Sequence, residues 1–189
     1  MKLVFATHNQ NKLKEVQALL PKYIEILSLD DIGCTEDIPE EEDTIAGNAM
    51  AKANYVKQHY GYDCFADDTG LEVSALGGAP GVYSARYAGP QKNDQDNVNK
   101  LLDELKDHHD RSARFKTVIA LNLDREKILF LGIAEGAITT KPQGDNGFGY
   151  DPVFQPEGYQ ETFAELPLSE KNKISHRAKA MKALIEYFK

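Results

Sequence analysis

The chain has 189 residues, of which 41% are hydrophobic and 28% charged, so it can form a domain with a real core. Its formal net charge of −8 excludes a basic surface for non-specific binding to nucleic acid or anionic membranes, yet leaves room for a small anionic ligand held by a few lysines or a cation. No stretch approaches the length of a membrane span, and two cysteines, Cys34 and Cys64, make neither a disulfide framework nor a structural zinc site.

In chain order, Leu3–Ala6 is a continuous apolar run and reads as a buried strand of an α/β sheet. The polar loop THNQNK follows. Leu13, Val16, Leu19 and Leu20 then recur at helical spacing until Pro21. Ile24–Leu29 reads as a second strand and residues 30–43 as irregular and increasingly acidic. Thr44 is placed to cap a helix running to about Tyr60, with Gly61 as its stop. Cys64–Ala66 reads as a strand that ends at ADDTG, followed by a Gly- and Pro-rich ordered loop with a brief strand at most. Asp96–Lys106 is a predicted helix. Phe115–Leu123 and Lys127–Thr139 are two long predicted strands joined as a hairpin near Asn122–Glu126. GDNGFGYDPVF is a second glycine-rich loop, and Ser175–Phe188 a closing helix. With no repeat or linker, we expect one domain, residues 1–189. The apolar opening is too short for a signal-peptide core, and a reducing cytoplasm is the expected compartment.

Five stretches can carry chemistry. THNQNK follows a strand and opens a helix, a place suited to phosphate, although a polar turn capping the helix uses the same residues. The acids Glu40, Glu41, Glu42 and Asp43 are either a solvated surface or the source of one metal ligand. Asp67 and Asp68 are adjacent, and strand alternation points them to opposite faces, so both cannot serve one site while the chain stays extended. One acid at a strand end beside a glycine suits a Mg²⁺ ligand or a base; a capped turn is the plainer alternative. In GFGYDP the glycines allow close backbone approach, and Phe148 or Tyr150 can stack on a nucleobase or simply fill a core. Finally, EKNKISHR gathers Lys171, Lys173, His176 and Arg177, cations that suit an anion or polar group near the start of a helix.

Each stretch alone is ambiguous, but their order is specific: T-x-N-x-x-K (Thr7, Asn9, Lys12), N-A-x-x-K-A (Asn48–Ala53), ADDTG, GAPGVYSARY (Gly78–Tyr87), GFGYDP and SHR. This succession resembles, over essentially the whole chain, the inosine triphosphate pyrophosphatase family. The resemblance implies a mixed central β-sheet flanked by helices, with two lobes and a nucleotide-binding cleft between them. It also implies Mg²⁺, a homodimer, and hydrolysis of dITP, ITP and XTP to the monophosphate and pyrophosphate, which removes these nucleotides from the pool before they enter DNA or RNA.

By the same resemblance, Asp68 is the general base and a metal ligand, and Glu40 aligns best as the second metal ligand. Thr7, His8, Asn9, Gln10, Asn11 and Lys12 hold the triphosphate, with Lys52 as a second cation. Thr69 contacts substrate; Phe148, Gly149, Tyr150 and Asp151 pack on the base; Lys171, His176 and Arg177 complete recognition of base and phosphate. A site built to hydrogen-bond a 6-oxo purine would leave its donors unpaired against adenine. The chain departs from the family pattern at His8 and Asn11, where many relatives have glycine, and at Gly47, where an acid is common. Two other readings fit parts of the pattern: a related hydrolase for modified pyrimidine triphosphates, and a nucleotide-binding module without catalysis. SHR and GFGYDP favour the purine hydrolase over the first, and Asp68 beside a phosphate-type loop favours it over the second.

Overall fold

The computed structural model describes all residues, Met1–Lys189. In chain order the elements are β1 (Lys2–Phe5), α1 (Gln10–Leu19), β2 (Glu25–Leu27), α2 (Ile45–Tyr60), β3 (Cys64–Val73), β4 (Pro80–Gly81), α3 (Asp94–Leu105), β5 (Ser112–Asn122), β6 (Lys127–Ile138), β7 (Phe154–Pro156), α4 (Leu168–Ile174) and α5 (His176–Tyr187). They form the mixed α/β architecture expected from the sequence. The strand order is β2-β1-β3-β5-β6-β7, with β4 paired to β3. β1 is parallel to both β2 and β3, with Phe5 opposite Phe65. β4 is antiparallel to β3, and β7 to β6. No helix is long and apolar enough to cross a membrane.

The helix ends follow from local chemistry. The Asn9 carboxamide accepts from the N–H groups of Asn11 and Lys12 at 2.9 and 3.2 Å, which opens α1. Thr44 opens α2 by accepting from the Gly47 N–H at 2.9 Å. Gly61, at φ 77°, closes it with a bond to the Lys57 carbonyl at 3.1 Å. Both ends of α2 match the sequence reading.

Three elements differ from it, the first being β7, a short strand at Phe154–Pro156 held by its antiparallel pairing to β6 where only a loop was expected. β3 does not end at Ala66 but runs straight through ADDTG to Val73. The ladder explains this: β1 pairs with its first half and β4 with its second, at Leu71 and Glu72. Inter-strand bonding there outweighs the turn preference of Thr-Gly. The C-terminal region holds two helices where one was expected. Ser175 leaves helical geometry at φ −69°, ψ 158°, so Lys171 and Lys173 belong to the separate helix α4.

The chain divides into two compact units. Unit 1 comprises residues 1–68, 117–132 and 177–189; unit 2 comprises residues 69–116 and 133–176. Strands β3, β5 and β6 each contribute residues to both. The core of unit 1 is built on Phe5 and Phe65, stacked at 4.7 Å, with Leu3, Val16, Ile119, Met181 and Leu184 around them. The core of unit 2 centres on Phe115, Phe154 and Phe163, with Leu71, Leu101 and Ile138. Each fully buried Phe or Leu contributes about 1.5–3 kcal/mol.

Candidate active site

Unit 1 gathers a network of buried and half-buried charges from four elements. α1 supplies Lys12 and Glu15, which share a helix face at i, i+3 spacing. α2 supplies Lys52, β3 supplies Asp67 and Asp68, and α5 supplies Arg177. Asp67 is engaged on both oxygens: Lys12 donates to Oδ1 at 3.0 Å and the Arg177 Nε–H to Oδ2 at 3.0 Å. Arg177 also donates from Nη1 to Glu15. On the other side, the Lys52 ammonium donates to Glu40 at 2.8 Å and to the Asp67 carbonyl at 2.6 Å, and lies 3.6 Å from Asp68 Oδ1. The alternation of the strand therefore separates the two acids. Asp67 meets Lys12 and Arg177, whereas Asp68 meets Lys52.

Their electrostatics diverge accordingly. Burial pushes Asp67 up, but Lys12, Arg177 and Lys52 together hold its carboxyl well below the usual range. Asp68 is raised, because burial outweighs the attraction of Lys52 and Lys12, with Glu40 and Asp67 adding repulsion. Lys12 is lowered by burial despite Asp67. Lys52 is raised, since Asp68, Glu40 and Asp67 overcome its burial.

Asp68 Oδ2 is buried and has no hydrogen-bond partner. An unengaged carboxylate oxygen is an acceptor left for a cation or a water. Glu40 reaches the same ammonium as Asp68, so the two acids converge on one point. No third His, Cys, Asp or Glu joins a group with them. This donor set fits Mg²⁺, which typically takes one or two carboxylates and completes its shell with water and substrate oxygens. Of the acidic run, Glu41, Glu42 and Asp43 are exposed, and only Glu40 is half-buried.

The THNQNK loop is partly occupied with its own structure. Thr7 Oγ1 accepts from the Asn9 N–H at 3.1 Å, and Asn9 caps α1. His8, Gln10 and Asn11 are exposed, with His8 Nε2 donating to the Glu36 carbonyl at 3.0 Å.

Unit 2 gathers most of the remaining candidates. Lys171 and Asp151 form a buried ion pair at 2.7 Å. Asp151 also accepts from the Phe148 N–H at 3.1 Å, and the Lys171 ammonium lies 5.2 Å from the centre of the half-buried Phe148 ring. His176 is buried and stacks on Phe115 at 4.5 Å. Thr69 is half-buried, and the Gly149 N–H donates to Asp94 at 2.9 Å. Tyr150 lies in the core of unit 2 and donates its hydroxyl to the Ser84 carbonyl at 2.6 Å, so Phe148 is the accessible ring of GFGYDP. Arg177, expected to help recognise base and phosphate, donates from Nε to Asp67 and from Nη1 to Glu15.

The sequence reading missed Glu15. Glu15 carried one signal: it adjoins Val16 in the apolar stripe of α1, three residues from Lys12. It also passed over Asn48 as an anchor. Its buried carboxamide accepts from the Glu42 N–H at 3.0 Å and fixes the end of the acidic run.

Comparison with known proteins agrees with the motifs. The Ham1 family matches residues 3–187. A dITP/XTP pyrophosphatase of Flavobacterium psychrophilum is 64% identical over 189 residues, spanning 100% of both chains. One from Porphyromonas gingivalis is 54% identical over 98% of this chain and 96% of its own length. The solved Ham1 protein of Staphylococcus aureus superposes with a TM-score of 0.90 at 36% identity, covering 100% of this chain and 98% of that one. A HAM1 protein from Coxiella burnetii gives 0.91 at 40% identity, with the same coverage. With a family match over nearly its whole length and relatives at this identity, the chain belongs to the Ham1 family.

Proposed function

We propose that this protein is a hydrolase of nucleoside triphosphates that converts dITP, ITP and XTP to the monophosphate and pyrophosphate. Full-length relatives named dITP/XTP pyrophosphatase support the activity. The observation that carries the mechanism is Asp68: a buried carboxylate with one oxygen unengaged, beside Lys52.

In this reading Asp68 takes the proton of a water that attacks the α-phosphorus, and the bond to the β-phosphate oxygen breaks as pyrophosphate leaves. Its unengaged Oδ2 is the oxygen placed to accept that proton. Lys12 and Lys52 neutralise phosphate charge, and the polar loop from Thr7 to Asn11 orients the chain of phosphates. Glu40 and Asp68 would hold Mg²⁺, which when bound supplies further charge neutralisation at the phosphates. Within unit 2, Phe148 offers a ring face to the purine, and Gly149 the close backbone approach beside it. Thr69, Lys171 and His176 supply polar contacts, while Tyr150 and Asp151 act by holding that segment in place. Arg177 enters through Asp67, whose charge it balances. A homodimer and a cytoplasmic setting belong to the same reading and rest on the family resemblance.

Pyrophosphate release measured with Mg²⁺ for ITP, XTP, dTTP, ATP and GTP tests the assignment. Release from ITP and XTP well above ATP is expected. Release from dTTP alone would turn the reading to pyrimidine substrates, and no release from any would leave only a binding protein.

A further inference from the structure

Residues 34–44 form neither helix nor strand, yet this segment carries Glu40. Two anchors hold it. Toward its end, Asn48 fixes Glu42. Toward its start, everything converges on Glu36. The Glu36 carboxylate accepts from the hydroxyls of Tyr55 at 2.7 Å and Tyr60 at 2.8 Å. Its backbone carbonyl accepts from His8 Nε2 at 3.0 Å and from the Cys34 thiol at 3.9 Å. Helix α2 thus spends Asn48, Lys52, Tyr55 and Tyr60 on one loop, and Glu40 stands between the two anchors.

Core packing does not require this arrangement. Glu36 is exposed, and its contacts are polar. What the hub does fix is geometry: it ties the loop carrying Glu40 to the helix carrying Lys52, and through His8 to the loop that opens at Thr7.

We propose that Glu36 is a positioning residue for the divalent-cation site, holding Glu40 in register with Asp68 through Tyr55, Tyr60 and His8. This rests on the reading of Glu40 as a metal ligand. Partners that orient metal ligands typically change affinity 10–100-fold when removed.

The test is direct Mn²⁺ binding to the nucleotide-free protein, read from the signal of free Mn²⁺ in electron paramagnetic resonance. Glu36→Ala and the double variant Tyr55→Phe/Tyr60→Phe should each weaken binding by about tenfold. Glu36→Gln, which keeps an acceptor, should stay within about threefold. Glu40→Gln should weaken binding, and adding Glu36→Ala to it should produce no further loss, because both act through one ligand. The tyrosine pair provides the test should Glu36→Ala fail to fold. If Glu40→Gln weakens binding while the hub variants bind as wild type, Glu36 has no positioning role and the proposal falls alone. If Glu40→Gln binds Mn²⁺ normally, the metal assignment falls and takes the proposal with it.

Discussion

Asp67 and Asp68 are adjacent on one strand and in opposite physical situations. Asp67 has both oxygens on cations; Asp68 has one oxygen near Lys52 and one unengaged. Substituting Asp67→Asn leaves Lys12 without its carboxylate and the Arg177 Nε–H without its charged acceptor, so a loss of about 3–5 kcal/mol is expected. Urea unfolding at neutral pH measures it; a loss below about 1 kcal/mol would mean that the network relaxes around the gap. The pH sign follows from the depressed Asp67 value. Its contribution is in place above the ordinary carboxylate range and is lost as pH falls toward the lower folded value. Asp68→Asn should behave differently, abolishing turnover while nucleotide still binds and stability changes little. Near-normal turnover would remove Asp68 as the base. Alternation along a strand was enough to separate the two acids in the sequence. The identity of their partners was not legible, because Lys12 lies 55 residues from Asp67 and Arg177 lies 110. The thiols make a second case. Burial pushes Cys64 from 9.0 up to about 12, and its Sγ–H donates to the Ala53 carbonyl at 3.2 Å. Cys34 is buried and raised as well. Neither should react with a disulfide reagent at about pH 8 in the folded protein, and both should react in denaturant. A stoichiometric native reaction would show that a thiol is open to solvent.

Helix α2 organises most of unit 1's candidate chemistry, and its start is tightly built. A Cβ on Gly47 would come 2.8 Å from the Glu42 Cβ and 2.9 Å from the Thr44 hydroxyl that caps the helix. Gly→Ala inside a helix ordinarily gains up to about 1 kcal/mol. Here it presses on the cap and on the acidic loop, and losing the cap costs about 1 kcal/mol. Gly47→Ala should therefore lower the thermal midpoint rather than raise it, and stabilisation would show that the loop yields freely. In unit 2, Gly147 plays a parallel part: at φ 72° it sits where a Cβ would meet the Asp151 carboxylate, the partner of Lys171 and the Phe148 N–H. These elements also show how far local signals reach. Thr44 and Gly61 mark the ends of α2 because caps are local chemistry. The length of β3 and the break at Ser175 were hidden. A ladder from β1 and β4 overrides Thr-Gly, and the lone extended residue at Ser175 has no strong breaker in the sequence.

Across the whole molecule, charge sets a constraint that no single residue reveals. The chain carries −8, and its proposed substrate is a polyanion. Even the unit 1 network leans negative, with Lys12, Lys52 and Arg177 against Glu15, Glu40, Asp67 and Asp68. Long-range steering of a triphosphate toward this protein is therefore unfavourable. Attraction has to be short-ranged, from lysines in contact with phosphate and from a divalent ion that reverses the local sign. Salt separates the two ranges. At about 0.01 M ionic strength the screening length is about 30 Å, and the full −8 acts on an approaching nucleotide. At about 0.15 M it is about 8 Å, which removes the distant repulsion but leaves contacts near 3 Å largely intact. We expect kcat/KM for ITP at fixed free Mg²⁺ to rise, by about two- to fivefold, between those conditions, with kcat little changed. Initial rates of pyrophosphate release measure it. A steep fall would show that Lys12 and Lys52 attract substrate from a distance and that the acidic exterior does not govern encounter.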